Sequence, residues 1–274
     1  MRVDSKLSEY LNYVKDFIIY SDNKTDTSYL LELLGGSGKM KKLIISALSL
    51  FICCAALSAG DVATFVDKGF SEDGKYYVFG QYGRTDKKFQ GWAEIYQVDI
   101  AKNDWVDGGV FKINPTAVTS DKAGIDIYEA LEGKNYYYLR DLKCTQANAD
   151  HVLYILDDVY KTGTDEIVFT DFNNSTVDSP NTFHIQLVPT INGTGKNVKS
   201  SFYIWVEKKD ADGNTISKTK VGSPDVVRSG ISNYKIERIM CDPTEKNFIF
   251  VIEKIQEDDT GISIRYMVEA AEIK

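Results

Sequence analysis

Apolar residues along this chain recur mostly with a period of two, the spacing of a strand that buries one face. Val62 to Phe70 and Tyr76 to Gly80 are two apolar-rich runs separated by Ser71-Glu72-Asp73-Gly74-Lys75. Asp-Gly between such runs is the strongest short-range hairpin signal, because glycine takes the backbone twist the turn requires. After a loop at Gly83 to Gly91, Trp92 to Ile100 places Tyr96, Val98 and Ile100 on one face, turns at Lys102-Asn103-Asp104 and continues as Trp105 to Phe111. The pattern predicts a four-stranded meander.

A similar arrangement returns near the C-terminus. Tyr234 to Cys241 leads through Asp242-Pro243-Thr244-Glu245-Lys246 into Phe248-Ile249-Phe250-Val251-Ile252, which is apolar on both faces and reads as a central strand. Ile262, Ile264, Tyr266, Val268 and Ala270 then alternate with Ser263, Arg265, Met267 and Glu269, the pattern of a half-buried strand. Between the two ends lie shorter β-type runs at Val152 to Leu156, Glu166 to Phe172, Phe183 to Val188 and Ser201 to Val206, the last continuing through Lys208 to Lys220 as a hairpin around Asp210-Ala211-Asp212-Gly213-Asn214. One stretch changes period. Thr119 to Cys144 spaces Ala123, Ile127, Ala130, Leu131, Tyr138 and Leu142 by steps near three and four and predicts a helix, with Ser120-Asp121 placed to cap it and Gly124 and Gly133 opposing it. The fold class expected is mainly β: antiparallel meanders in a β-sandwich or an incomplete propeller-like arrangement, with one helix in the middle.

The N-terminal part follows a different logic. Met40-Lys41-Lys42 is a short basic segment, Leu43 to Leu57 is an almost unbroken apolar run, and Leu57-Ser58-Ala59 supplies the small residues that signal peptidase needs. The run contains Ser46 and Ser49, is shorter than the ~20 apolar residues of a membrane span and ends without a basic stop. A lipoprotein anchor at Cys53 is opposed by Ile52, where processing wants a small residue. Gly35-Gly36-Ser37-Gly38-Lys39 lies directly before Met40, and glycine and lysine codons are purine-rich, so a translated ribosome-binding site would read this way. The stretch is not a phosphate-binding loop, which needs Gly at Leu33 and Ser or Thr at Met40. The organisation expected is an upstream extension at 1–39 that is not part of the natural product, a signal peptide at 40–59, and a secreted, mostly-β domain at 60–274 with a periplasmic or secreted address. No membrane span is expected after cleavage.

Charge and reactive residues narrow the function of that domain. Taking the seven basic and six acidic residues before Gly60 from the totals of 32 and 40 leaves 25 and 34, a net charge near −9. So acidic a surface predicts neither nucleic acid nor anionic lipid as a partner. Cys144 and Cys241 are the cysteines left after cleavage, a candidate disulfide in an oxidising compartment or two separate buried thiols. Asp210, Asp212 and Asn214 gather oxygen ligands as a Ca²⁺ site would, but without the sixth-position Gly and twelfth-position Glu of an EF-hand, and Asp, Gly and Asn are what such turns use anyway. His151 and His184 are the only histidines, each at the edge of a β-type run, and no Gly-x-Ser-x-Gly elbow occurs. No catalytic residue and no cofactor are predicted. A carboxylate pair is the one hydrolytic chemistry the composition leaves open, with Trp92, Trp105 and Trp205 as candidate sugar-stacking rings.

Two resemblances bear on this reading. Lys75-Tyr-Tyr-Val-Phe and Lys246-Asn-Phe-Ile-Phe, each after an acidic turn, are similar to the blade turns of TolB-type β-propellers, where a Ser/Asp-Pro-Asp-Gly-Lys turn enters an apolar strand. Gly69-Phe-Ser-Glu-Asp-Gly-Lys-Tyr-Tyr-Val-Phe-Gly-Gln-Tyr-Gly, with Phe89-Gln-Gly-Trp-Ala-Glu-Ile-Tyr-Gln-Val-Asp-Ile and Ile264-Arg-Tyr-Met-Val-Glu, resembles an uncharacterised family of bacterial predicted secreted proteins found in spirochaetes among others. That resemblance implies export and supplies no catalytic residues. The expected function is an exported periplasmic or envelope protein that binds a small ligand or another envelope protein through a β surface; the alternative is a carbohydrate-active hydrolase using two carboxylates.

Overall fold

The computed structural model describes residues 61–156, 166–176, 178–258 and 261–273. The expectations for the extension at 1–39 and the signal at 40–59 lie outside the described residues. From residue 61 the chain forms the predicted meander, β1 (Thr64–Phe70), β2 (Tyr76–Arg84), β3 (Gly91–Asp99) and β4 (Asp104–Ile113), each strand antiparallel to the next. Helices α1 (Gly124–Lys134) and α2 (Tyr136–Leu142) follow, then β5 (Val152–Ile155). A second sheet is built from β6 (Ile167–Thr176), β7 (Ser179–Asn192), β8 (Lys199–Lys209), β9 (Thr215–Val221) and β10 (Arg228–Ser229), where β9 and β10 both pair with β8. The last three strands, β11 (Asn233–Cys241), β12 (Asn247–Asp258) and β13 (Gly261–Glu272), join β5 in a third sheet of order β13-β12-β11-β5.

Side-chain alternation on the third sheet explains how the layers stack. On one face Ile239, Phe248, Phe250, Ile252 and Met267 merge with Phe183, Ile185, Leu187, Phe202, Ile204 and Val206 of the second sheet into one core. On the other face Met240, Ile249, Val251, Val268 and Ala270 merge with Tyr77, Phe79, Tyr96 and Val98 of the first sheet. Ring contacts mark both interfaces: Phe183 to Phe248 at 5.1 Å and Phe65 to Tyr266 at 5.4 Å between centroids. The first sheet's remaining face, Val78, Ala93 and Ile95, is covered by Ile127, Tyr128 and Leu131 of α1. The order is helices, first sheet, third sheet, second sheet, so the third sheet is the middle layer. Phe250, Val251 and Ile252 are each 0 % exposed, as expected for a central strand, and burying each such side chain contributes about 1.5–3 kcal/mol.

The two turns alike in sequence are also alike in geometry. In each, the amide four positions into the turn donates to the first carbonyl (Gly74 to Ser71 at 2.9 Å, Glu245 to Asp242 at 2.8 Å), and Gly74 and Glu245 both take positive φ, 69° and 54°. In each the first side chain then accepts from the amide that opens the next strand, Tyr76 to Ser71 Oγ and Asn247 to Asp242 Oδ1, both at 3.0 Å.

Three local expectations are corrected. The single helix is two, broken at Asn135, whose side-chain amide donates to the Leu131 carbonyl at 2.8 Å and ends the first helix. Ser120-Asp121 does not cap it: Ala123 is the N-cap, and Asp121 sits at φ 60° with its carboxylate 3.3 Å from Arg84. Gly124, which counts against a helix by propensity, is required by packing, since a Cβ there would stand 2.7 Å from the Gly83 carbonyl oxygen of β2. Strand β13 is not half-buried along its length, because Met267 and Glu269 are each 6 % exposed while Ile262 is 51 % exposed. Its C-terminal half is covered on both sides by the neighbouring layers.

Because β12 is covered on both faces, Ile249→Ala and Phe250→Ala, which truncate opposite faces, are expected each to destabilise by about 2–5 kcal/mol. Urea unfolding measures both; a strand with one wet face would give one large loss and one near zero.

Candidate ligand-binding surfaces

The residues singled out by sequence are dispersed. Asp210 Oδ1 accepts the amides of Asp212 at 3.0 Å and Asn214 at 2.8 Å, and Oδ2 accepts the Asn214 side-chain amide at 3.1 Å, so the carboxylate caps its own turn. The hydrogen bonds from Asn214 hold the Asp210 carboxyl below its usual range. Among the described residues no three His, Cys, Asp or Glu side chains converge on a metal-sized site. Cys144 and Cys241 are free thiols. Cys144 packs beside the core under α1, Cys241 belongs to the core between the middle and second sheets, and burial pushes their pKa values up to about 11 and about 12. His184 is held by Glu166 at 3.0 Å and Thr182 at 3.1 Å.

The three tryptophans have different fates. Trp92 is 3 % exposed, donates to Asp61 Oδ2 at 3.2 Å and carries the Arg265 guanidinium 3.9 Å above its ring, so it is closed to any ligand. Trp105 is 41 % exposed but stands edge-on against Tyr96 at 4.0 Å. Trp205 lies on the outer face of the second sheet. Strand β8 alternates buried Phe202, Ile204 and Val206 with half-buried Tyr203, Trp205 and Glu207, and only the first set meets the middle sheet. Tyr203 and Trp205 sit 5.6 Å apart at 84°. Register places Gln186 and Lys220 on either side of Trp205, and His184 and Lys218 on either side of Glu207. The Lys220 ammonium lies 4.7 Å from the Tyr203 ring and the Lys218 ammonium 5.0 Å from the Trp205 ring. Two aromatic faces thus stand on a rigid sheet among an amide, a carboxylate and two ammonium groups, a set that offers C–H stacking and hydrogen bonds in both directions.

A second constellation lies between the first and middle sheets. Strand β11 is bulged between Ile236 and Arg238, and the extra residue sends Glu237 and Arg238 toward the same interface. There the Arg238 guanidinium stands 6.0 Å from the Phe65 ring and 3.3 Å from Glu237 Oε1. Asp67 Oδ1 accepts the Tyr77 hydroxyl at 2.8 Å. Burial raises the Asp67 carboxyl; burial and then the Glu237 charge raise that of Glu253; and burial, Glu253 and Glu237 raise the Tyr266 phenol. Two carboxyls with elevated proton affinity beside a third, flanked by Phe65 and Tyr266, can in principle hold a proton on one group and a charge on another.

Residues 78–272 match the family model described as Predicted secreted protein (DUF2259). The chain belongs to this family. It is therefore an exported protein, and the sequence resemblance to a predicted secreted family is correct at that level. No curated protein and no solved structure matches the chain. The DUF2259 match runs from within β2 to the end of β13, so it spans the outer face of the second sheet, Glu237 and Glu253, but not Asp67. Among the described residues no helix is long and apolar enough to cross a membrane.

The hairpin pairing of Tyr203-x-Trp205 with Lys218-x-Lys220 was open to recognition as two outward i, i+2 pairs on the arms of one predicted hairpin. The Asp67–Glu237–Glu253 group carried no such signal, because a bulge has no mark in the hydrophobic period.

Two measurements follow from this geometry. Ca²⁺ or EDTA is expected to leave the melting temperature unchanged, since Asp210 is satisfied by its own turn. Glu253 has a folded pKa above its unfolded value, so its contribution to stability falls as pH rises from the unfolded carboxylate range through the folded value. Glu253→Gln is accordingly expected to raise the melting temperature at neutral pH, with the gain disappearing once the solution is acid enough to protonate glutamate in both states.

Proposed function

We propose that this DUF2259 protein is a non-catalytic, exported binding protein whose ligand is a glycan laid on the outer face of the second sheet. The observation that carries the reading is the half-exposed Tyr203–Trp205 pair, presented by a strand whose alternate residues are locked in the core. Sugar rings offer apolar C–H faces bordered by hydroxyls, and this surface answers them with two rings bordered by Gln186, Glu207, Lys218 and Lys220. Preorganisation favours binding here, since few rotatable groups need ordering on a paired sheet. In this reading Met40 is the natural start, residues 40–59 are the signal peptide that delivers the chain, and residues 60–274 are the mature domain that meets its partner in the cell envelope or outside it.

A second reading is favoured by one specific observation: the charge of Glu237 acts on Glu253 within an aromatic-flanked, half-buried group. Such a pair fits a glycoside hydrolase, one carboxyl as acid and the other as base or nucleophile.

Titration of the protein with a panel of envelope oligosaccharides, followed by intrinsic fluorescence and calorimetry, separates the two. Trp205→Ala is expected to weaken binding at least tenfold, about 1.4 kcal/mol, with Trp105→Ala unchanged. Release of new reducing ends that stops in Glu237→Gln and Glu253→Gln, but continues in Trp205→Ala, would transfer the assignment to the hydrolase.

A further inference from the structure

Two ammonium groups lie over the aromatic pair on the outer face of the second sheet, and their electrical situations differ. The Lys218 ammonium, 5.0 Å from the Trp205 ring, is paired with Glu207 Oε2 at 3.4 Å. Glu207 Oε1 accepts the Thr215 hydroxyl, so both oxygens of this carboxylate are engaged. Lys220, the next outward position along β9, is exposed and lies 4.7 Å from the Tyr203 ring and 5.6 Å from the Trp205 ring. Among the described residues it pairs with no carboxylate. Glu166, at the far side of the face, is held by His184 at 3.0 Å.

An ammonium over an exposed ring is held there by the electron-rich face of the ring. A sugar stacked on Tyr203 and Trp205 takes the same ring faces, so Lys220 has to swing away and loses that attraction. Lys218 swings toward a carboxylate it already holds; Lys220 has none waiting. A neutral sugar returns only hydroxyl contacts to the displaced ammonium, for which water competes, whereas a sugar with an anionic group returns a charge-assisted hydrogen bond beside the stacked ring. The chain as a whole carries a formal net charge of −8. Because screening limits such fields to about 8 Å at physiological ionic strength, attraction for an anion has to be local, and Lys220 supplies it. Lysines on an edge strand also discourage pairing with other chains, but that role asks only for charge in solution and not for one ammonium laid against two rings.

We propose that the glycan received on this face is acidic: a sugar ring stacks on Tyr203 and Trp205 while its carboxylate or sulfate group takes the Lys220 ammonium from the rings. This inference rests on the reading of the face as a glycan surface, and adds the charge of the ligand and the residue that reads it. Tyr203 and Trp205 supply affinity for any sugar, Lys220 discriminates by charge, and Glu207 keeps Lys218 from competing for the anion.

Calorimetric titration with matched sugar pairs tests it, trigalacturonate against its methyl ester and lactose 3′-sulfate against lactose. A charged member is expected to bind about tenfold more tightly than its neutral partner, and which one does so identifies the anionic group. That preference should shrink as salt is added, while binding of the neutral member holds. Lys220→Met is expected to bring the two members level and to bind the neutral one as well as or better than the wild type, since no ammonium has to be displaced. Lys220→Arg keeps the preference, and Trp205→Ala weakens both members alike. Equal binding of charged and neutral members, lost together in Trp205→Ala, would overturn the acidic ligand and leave the glycan surface standing. A preference that survives in Lys220→Met would overturn the role of that lysine. Silence from both charged members overturns the inference whatever the neutral ones do; if the neutral ones are silent too, the glycan surface falls with it.

Discussion

A strand apolar on both faces has to be covered from both sides, and Asn247–Asp258 imposes that demand on everything around it. Phe248, Phe250 and Ile252 call for one sheet, Ile249 and Val251 for another, and the chain supplies them from distant segments, the second sheet from residues 167–229 and the first from residues 64–113. The middle sheet therefore has no wet face over Phe248–Ile252, and the two cores on either side of it are separate apolar clusters sharing one backbone layer. Non-directional burial sets the stacking; the hydrogen-bond ladders of the three sheets set the register within each layer.

That arrangement decides where polar chemistry can lie. Groups that fall between layers must be satisfied there, and the border of the first and middle sheets shows how: Gln81, 1 % exposed, donates to Glu94 at 2.8 Å and exchanges bonds with the backbone of Tyr266, accepting its amide at 2.8 Å. Asp61 does the same service at the start of the domain, taking Trp92 and Arg265 on one carboxylate oxygen while its carbonyl accepts the Ile264 amide at 3.0 Å. These bonds join residues about two hundred positions apart in sequence and fix how the first sheet sits against β13.

The two candidate surfaces differ in the kind of order they possess. Tyr203 and Trp205 are held by the regular alternation of β8 and present their rings outward because Phe202, Ile204 and Val206 are anchored inward. The Asp67–Glu237–Glu253 group depends on an irregularity, the β11 bulge, which turns two consecutive side chains into one interface and brings the Glu237 charge near enough to add to the effect of burial in raising the proton affinity of Glu253. The first arrangement suits a surface that receives a ligand without moving; the second stores electrostatic cost in a half-buried place, as catalytic carboxylates do.

By itself the sequence determined the local rules: the strand at Phe248–Ile252 with two dry faces, the matched turns at Ser71–Lys75 and Asp242–Lys246, the hairpin around Asp210–Asn214, and membership of an exported family through residues 78–272. All of these follow from side-chain period and turn chemistry, which act over a few residues. Only the tertiary structure decided which layer covers which face. It turned half of β13 from amphipathic to buried, made Gly124 a necessity because β2 passes beneath it, broke the helix at Asn135, sank Trp92 while leaving Trp205 outward, and gathered Asp67, Glu237 and Glu253 from three strands. The reason is that a period of two says a face must be buried or wet without saying what will lie against it, and that answer comes from contacts between segments far apart in the chain.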